Sequence, residues 1–300
     1  MKFKFKRLML LSLGLILMVV LAGCGKQQTS DHTGKIRIVA TTNFYGQVAK
    51  AVVGNKGTVT SIINKPSIDP HDFEPTTNTA KAVSKADIVI ANGLGYDSWM
   101  DKLVNNSSDH VYIKVGSDIM GLKKGDNPHV WYNPTTMIKY SNYLAAKLAK
   151  QQPQHKKYFE ANAKKYIKSL KPMQDELKQL KKTAKASKIK SVYVSEPVFD
   201  YSIKAMGFKV ADVSFENAIE KSTDPSVKSI ETMQQGITDR KIRFFVDNKQ
   251  VSSTTVSNFV QLAKKHNVPV LKVTETMPAH TTYVKWMTSQ YKELNNVLEK

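Results

Sequence analysis

From residue 35 onward the chain alternates short β-branched runs with amphipathic helical patterns, and this succession constrains the fold more than any other feature. The segments 35–41 (KIRIVAT), 59–63, 87–91 (DIVIA) and 110–115 read as strands, with helical periodicity over 45–53, 77–85 and 96–104 between them. A second set repeats the scheme, with strands at 191–194, 209–213, 243–246 (RFFV) and 269–273 and helices at 198–206, 226–235, 256–265 and 283–298. Strands separated by helices imply βαβ units, and hence mostly parallel sheets covered on both faces. The expected fold is α/β with two lobes, 35–150 and 189–300, joined by one long helix within 151–188. From Phe159 to Leu180 apolar residues step by threes and fours along one stripe, with Lys, Glu and Gln on the other face. This predicts a helix of about 30 residues, roughly 45 Å long, which Pro172 should bend or break. Such a helix resists hinge motion, so small lobe movements are expected.

The N-terminus reads as an address. Lys2, Lys4, Lys6 and Arg7 precede an apolar run from Leu8 to Leu21, broken only by Ser12 and Gly14. That run is short for a ~30 Å hydrocarbon core and is followed by small residues, as in a signal peptide. The segment 1–23 therefore reads as a signal peptide. It ends in Leu21-Ala22-Gly23-Cys24, which resembles the bacterial lipobox, and Cys24 is the only cysteine of the chain. Two acyl chains on Cys24 would give stable anchoring. The polar stretch 24–34 then serves as a lipidated tether, placing the body at the extracellular face of the cell membrane.

A single cysteine excludes a disulfide scaffold and a thiolate zinc cluster. The formal charge of +20 invites a nucleic-acid reading, yet only four of the 45 cations are Arg (Arg7, Arg37, Arg240, Arg243). Groove readers depend on the planar Arg fork. A diffuse Lys surface that aids solubility beside an anionic envelope is the better account, and no nucleic-acid partner is expected. Any metal must be held by His and carboxylates.

Of the seven histidines, His71 and His129 stand apart. Each follows a proline, in Asp69-Pro70-His71-Asp72-Phe73-Glu74-Pro75 and Asn127-Pro128-His129-Val130-Trp131, and each lies in a loop between a strand and a helix. Loops at the carboxyl ends of strands are where open α/β sheets place ligands. Of the others, His32 lies in the tether, His155 and His266 on polar helix surfaces or ends, and His110 at a strand start.

These two segments, with the lipobox, resemble the metal-binding lipoproteins of bacterial zinc and manganese ABC importers, the cluster A-I substrate-binding proteins. The resemblance runs from the lipobox to the C-terminus. It implies a metal held between the lobes, with two ligands from each, and His71 and His129 match the N-lobe pair. The family places His or Glu after the first strand of the second lobe, which here is Glu196 in Ser195-Glu196-Pro197-Val198-Phe199. It places an acid after the last strand, which here is Glu275 in Thr274-Glu275-Thr276-Met277-Pro278. Asp247, after RFFV, is a competing acid.

The implied function is capture of Mn²⁺ or Zn²⁺ as cargo for an ABC permease and its ATPase, by a monomer without chemical turnover. Glu196 in place of His, and a short segment 116–128 without His, lean toward manganese. Two imidazoles and two carboxylates balance a dication, and four donors can close the shell where a catalytic zinc keeps a position for water. The alternatives are a surface adhesin with a structural metal and a metallohydrolase, the latter without an HExxH motif.

Overall fold

The computed structural model describes residues 34–106 and 110–299; the signal segment, Cys24 and most of the tether lie outside the described residues. Two four-stranded, all-parallel sheets carry the molecule. The first has β1 (Ile36–Thr42), β2 (Gly57–Ile63), β3 (Ile88–Ala91) and β4 (Val111–Lys114) in the order β2-β1-β3-β4. The second has β5 (Ser191–Val194), β6 (Lys209–Val210), β7 (Phe245–Asn248) and β8 (Val270–Val273) in the order β6-β5-β7-β8, the same topology. Every residue of β3 is buried, as expected of a strand with helices on both faces. Among the described residues no helix is long and apolar enough to cross a membrane.

In the first lobe the sheet packs against α1 (Asn43–Val53), α2 (Thr77–Ser84), α3 (Trp99–Asn105) and α4 (Thr136–Gln151). The expected single linking helix is two helices, α5 (Lys156–Ser169) and α6 (Lys171–Ala186), meeting at Leu170. Pro172 has no N–H to donate back to Lys168, and it sits at the start of α6, where that loss costs nothing. The break coincides with a change of partner. The α5 helix packs on α1 and α4 of the first lobe. The α6 helix packs on α7 (Asp200–Met206) and α11 (Tyr283–Glu299) of the second.

The second lobe contains a helix that the sequence pattern does not announce, α8 (Val213–Glu220). The predicted strand at 209–213 stops at Val210, because Asp212 caps α8, accepting from Phe215 N at 3.1 Å. The helices α9 (Val227–Thr238) and α10 (Thr254–Lys265) complete this lobe. Strand β7 runs two residues further than RFFV suggests, pairing through Asn248 with Val273.

One continuous core joins the lobes. Trp131 and Tyr132 follow β4 in sequence and are fully buried. Trp131 lies 4.9 Å from Phe44 of α1, and Tyr132 lies 5.2 Å from Phe199 and 5.6 Å from Trp286 of the second lobe. Tyr132 also donates to the Thr274 carbonyl at 2.5 Å. Separating the lobes would expose these rings to water, at about 25 cal/mol for each Å² of apolar surface.

Phe159, fully buried on α5 and away from the strand ends, tests the packing alone. Phe159→Ala is expected to lower unfolding free energy by about 3–5 kcal/mol in urea titration, with metal affinity unchanged.

Candidate metal site

The loops at the carboxyl ends of both sheets converge between the lobes. His71 is on the loop after β2, which is pinned from below: Trp99 Nε1 donates to the Pro70 carbonyl at 3.2 Å and packs on Phe73 at 4.7 Å. His71 N donates to Asp69 Oδ1 at 2.8 Å, closing an Asx turn that aims the imidazole. The ring stands edge-on to Tyr96 at 4.7 Å and remains 36% exposed.

His129 is fully buried. Its loop is held by Asn92, whose Nδ2 donates to the Pro128 carbonyl at 2.9 Å while Oδ1 accepts from Tyr45 at 2.6 Å. Nδ1 of His129 lies 2.9 Å from Asn127 Oδ1, an oxygen that can only accept, so the proton is assigned to Nδ1. The Nε2 lone pair therefore points away from the loop, and this buried nitrogen has no hydrogen-bond partner. That is the arrangement of a metal-ligating imidazole oriented through its other nitrogen.

Two carboxylates face that nitrogen. Glu275 Oε1 is 3.8 Å from His129 Nε2, and Glu220 Oε1 is 3.9 Å from it and 3.8 Å from His71 Nε2. His71, His129 and Glu220 present donor atoms that all lie within 4.8 Å of one another. Glu275 comes from the loop after β8 and accepts from Tyr96 OH at 2.9 Å, across the lobe boundary. Burial and the neighbouring Glu275 charge keep the Tyr96 phenol protonated, so it remains a donor.

Glu196 follows β5 and lines the same cavity, about 330 Å³, as Asp69, Asn248 and Glu275. Its Oε2 accepts from Asn248 Nδ2 at 2.7 Å, and Asn248 N in turn donates to Ser195 Oγ at 2.9 Å. Asp247 precedes Asn248 on β7, so its side chain leaves the opposite face of the sheet. It lies among Lys272, Lys264 and Lys249, away from the imidazoles. Of the four expected ligands, His71 and His129 come together with Glu220, Glu275 stands 3.8 Å from His129 Nε2, and Glu196 lines the cavity that Glu275 also borders.

Glu220, the last residue of α8, is not among the acids that the sequence reading singles out. The local signals are nevertheless present: Asp212 as cap, Phe215 and Ile219 one turn apart, and Pro225 as a stop. Together they place Glu216 and Glu220 on one helical face.

The electrostatics are those of a site short of positive charge. Burial, then the charge of His71, lowers His129 to about 3, so it is neutral and available as a donor. Burial likewise lowers His71. Burial first, then Glu196, Glu220 and Asp69 against the opposing Tyr96 hydrogen bond, pushes Glu275 up to about 8. Burial, then Glu196, Asp69 and Asp200, pushes Glu220 up to about 7. Glu196 is raised by burial, with Asn248 opposing. A dication placed among these groups would favour the ionised carboxylates and reverse their shifts.

The sequence profile of the family described as zinc-uptake complex component A, periplasmic, matches residues 38–297. The chain belongs to this family. Among its relatives is the metal ABC transporter substrate-binding lipoprotein ScbA of Streptococcus cristatus, 31% identical over 241 residues, covering 75% of this chain and 77% of the relative. The manganese-binding lipoprotein MntA of Halalkalibacterium halodurans is 27% identical over 72% of this chain and 73% of its own length. In fold, the chain is similar to a Mn-bound point mutant of a periplasmic metal-binding protein from Candidatus Liberibacter asiaticus. The TM-score is 0.72 at 19% identity, covering 88% of this chain and 99% of that one. The lipoprotein YcdH of Bacillus subtilis gives a TM-score of 0.70 at 24% identity, over 87% and 98%. The family's members act as substrate-binding components of transporters, and the two-lobed fold is shared with these structures.

The raised carboxyls make the stability of the metal-free protein depend on pH. Glu275 at about 8, and Glu216 at about 9 from burial beside Asp200, hold protons in the folded chain that the unfolded chain releases near its ordinary 4.5. The native state then binds more protons, so stability falls as pH rises. The lowered histidines act oppositely, but only below their ordinary 6.5. Between pH 6.5 and 8 the metal-free protein is therefore expected to lose stability in urea titrations, with a shallower slope in Glu275→Gln.

Proposed function

We propose that the protein is an extracytoplasmic receptor that captures one Mn²⁺ or Zn²⁺ as cargo and presents it to an ABC permease with its ATPase, without turnover. Membership of a family of transporter substrate-binding components supports this reading. Relatives named for manganese binding support the class of cargo. The single observation that carries it is the buried, unpartnered Nε2 of His129 facing two carboxylates, one of which also faces the second imidazole nitrogen, all at under 4 Å.

The donor set suits the ion. Donors around a tetrahedral centre with bonds of about 2.1 Å stand roughly 3.4 Å apart, so the 3.8 Å between His129 Nε2 and Glu275 Oε1 need contract only slightly. His71 and His129 from the first lobe and Glu275 and Glu196 from the second are the proposed ligands. Two neutral imidazoles and two carboxylates neutralise the dication in a cleft that keeps most water out. Carboxylate oxygens favour Mn²⁺ more than an all-imidazole shell does, although Zn²⁺ binds most mixed N/O sites more tightly. In this reading Cys24 carries the lipid, the protein acts as a monomer at the outer face of the membrane, and nucleic acid plays no part. The adhesin reading is not favoured, because the matched relatives are named for metal transport or metal binding.

Calorimetry on the metal-stripped protein is expected to show one tight site, abolished by His71→Ala and by His129→Ala; unchanged affinity in both would sink the assignment. A deletion strain should grow poorly in metal-depleted medium and recover with excess Mn²⁺ or Zn²⁺. Normal growth with lost surface attachment would instead support adhesion.

A further inference from the structure

Glu220 is held at the site by the structure around it. The helix that carries it is capped at its start by Asp212, whose Oδ2 also accepts from Ser229 Oγ at 2.8 Å, and it is anchored by the fully buried Phe215. Beyond Glu220 the chain turns back at once, with Ser222 N donating to the Ile219 carbonyl and Thr223 N to the Ala218 carbonyl, both at 2.8 Å. Ser222 adopts φ +52 to make this turn. The carboxylate is therefore delivered by a fixed end of a helix.

Its position is unfavourable unless a cation arrives. A negative side chain at a helix C-terminus opposes the partial negative charge of the last carbonyls. The Glu220 side chain also keeps only 19% exposure to solvent, in the company of Glu275 and Glu196. Against this cost, its Oε1 is nearly equidistant from both imidazole nitrogens, 3.8 Å from His71 Nε2 and 3.9 Å from His129 Nε2. The His129 nitrogen is buried and unpartnered, so it supplies an observation independent of the acids.

Resting on the transport reading above, we infer that Glu220 is a direct ligand of the cargo ion, a third carboxylate that raises the site to two nitrogens and three oxygens and biases it toward Mn²⁺. Zn²⁺ is satisfied by four donors in a tetrahedron, whereas Mn²⁺ accepts higher coordination and oxygen-rich shells. The additional negative charge is moderated by hydrogen bonds already in place, from Tyr96 OH to Glu275 and from Asn248 Nδ2 to Glu196. Removing Glu220 should therefore weaken Mn²⁺ much more than Zn²⁺.

The test is a pair of dissociation constants, for Mn²⁺ and for Zn²⁺, on the metal-stripped protein and on Glu220→Ala and Glu220→Gln. Electron paramagnetic resonance of bound Mn²⁺ provides a readout independent of affinity. Glu220→Ala is expected to weaken Mn²⁺ by more than the roughly 10- to 100-fold typical of an outer-sphere loss. Zn²⁺ should weaken at least about 10-fold less, following the different geometries the two ions prefer. The Mn²⁺ spectrum should change in both variants, and Glu220→Gln, which keeps the side chain's shape, controls for folding. Unchanged affinities, or equal losses for both ions with an unaltered Mn²⁺ spectrum, would overturn the inference. His71→Ala and His129→Ala separate the two ideas. If they abolish binding while Glu220→Ala leaves both affinities unchanged, only the role of Glu220 fails; if they leave binding intact, the transport reading fails with it.

Discussion

The arrangement between the lobes depends on one imidazole. His129 is enclosed by protein, its Nδ1 proton is committed to Asn127, and its Nε2 is left without a partner. A buried nitrogen in that state is costly unless something completes it. Around it stand acids that are also short of a counter-charge, with Glu275 held protonated to about 8 by burial and by its acidic neighbours. At 3.8 and 3.9 Å the nearest acid oxygens stand too far from that nitrogen to complete it by a hydrogen bond. A divalent cation meets both deficits at once.

The scaffold is built to bring these groups together and to keep them there. Each sheet contributes loops from the carboxyl ends of its strands, and the two sheets repeat one strand order, so the edges that carry these loops match. The aromatic residues that closely follow His129 in sequence, Trp131 and Tyr132, form the packing between the lobes. The loop that presents His129 is thus continuous with the core that fixes lobe spacing. The loop after β2 is less enclosed and is tied to the second lobe by polar contacts. The Pro66 carbonyl accepts from Gln250 Nε2 at 2.7 Å and from Thr276 Oγ1 at 2.9 Å. His71, on that loop, is the more exposed imidazole, which places the way in for solvent on its side of the site.

Much of this is legible in the sequence, for identifiable reasons. Parallel strands buried on both faces read as short apolar runs, which is why the expected bounds of β3, β4, β5 and β8 lie close to the observed ones. The proline-flanked histidines stand out because their loops have a distinctive composition, and Glu275 follows from its place after the last strand. The failures also have physical causes. The stripe from Phe159 to Leu180 keeps helical period through Leu170, and periodicity does not register the hydrogen bond that Pro172 cannot make. Helix α8 escapes notice because it is short, only eight residues, and begins where β-branched residues suggest a longer strand. With it goes Glu220, since an acid in a polar Glu-Lys-Ser-Thr-Asp stretch looks like solvated surface until the helix shows which way it faces. Glu196 illustrates the opposite limit: the sequence locates it at a strand end, but only the fold reveals that Asn248 holds one of its oxygens.

The central claim is that imidazoles from one lobe and carboxylates from the other share a single ion. Anomalous diffraction from metal-soaked crystals, collected at the manganese and zinc edges, tests it most directly. The account predicts one strong peak between the lobes, within about 2.0–2.3 Å of both histidine Nε2 atoms and of a Glu275 oxygen. A peak elsewhere on the protein, or one bonded to groups of a single lobe only, would contradict it.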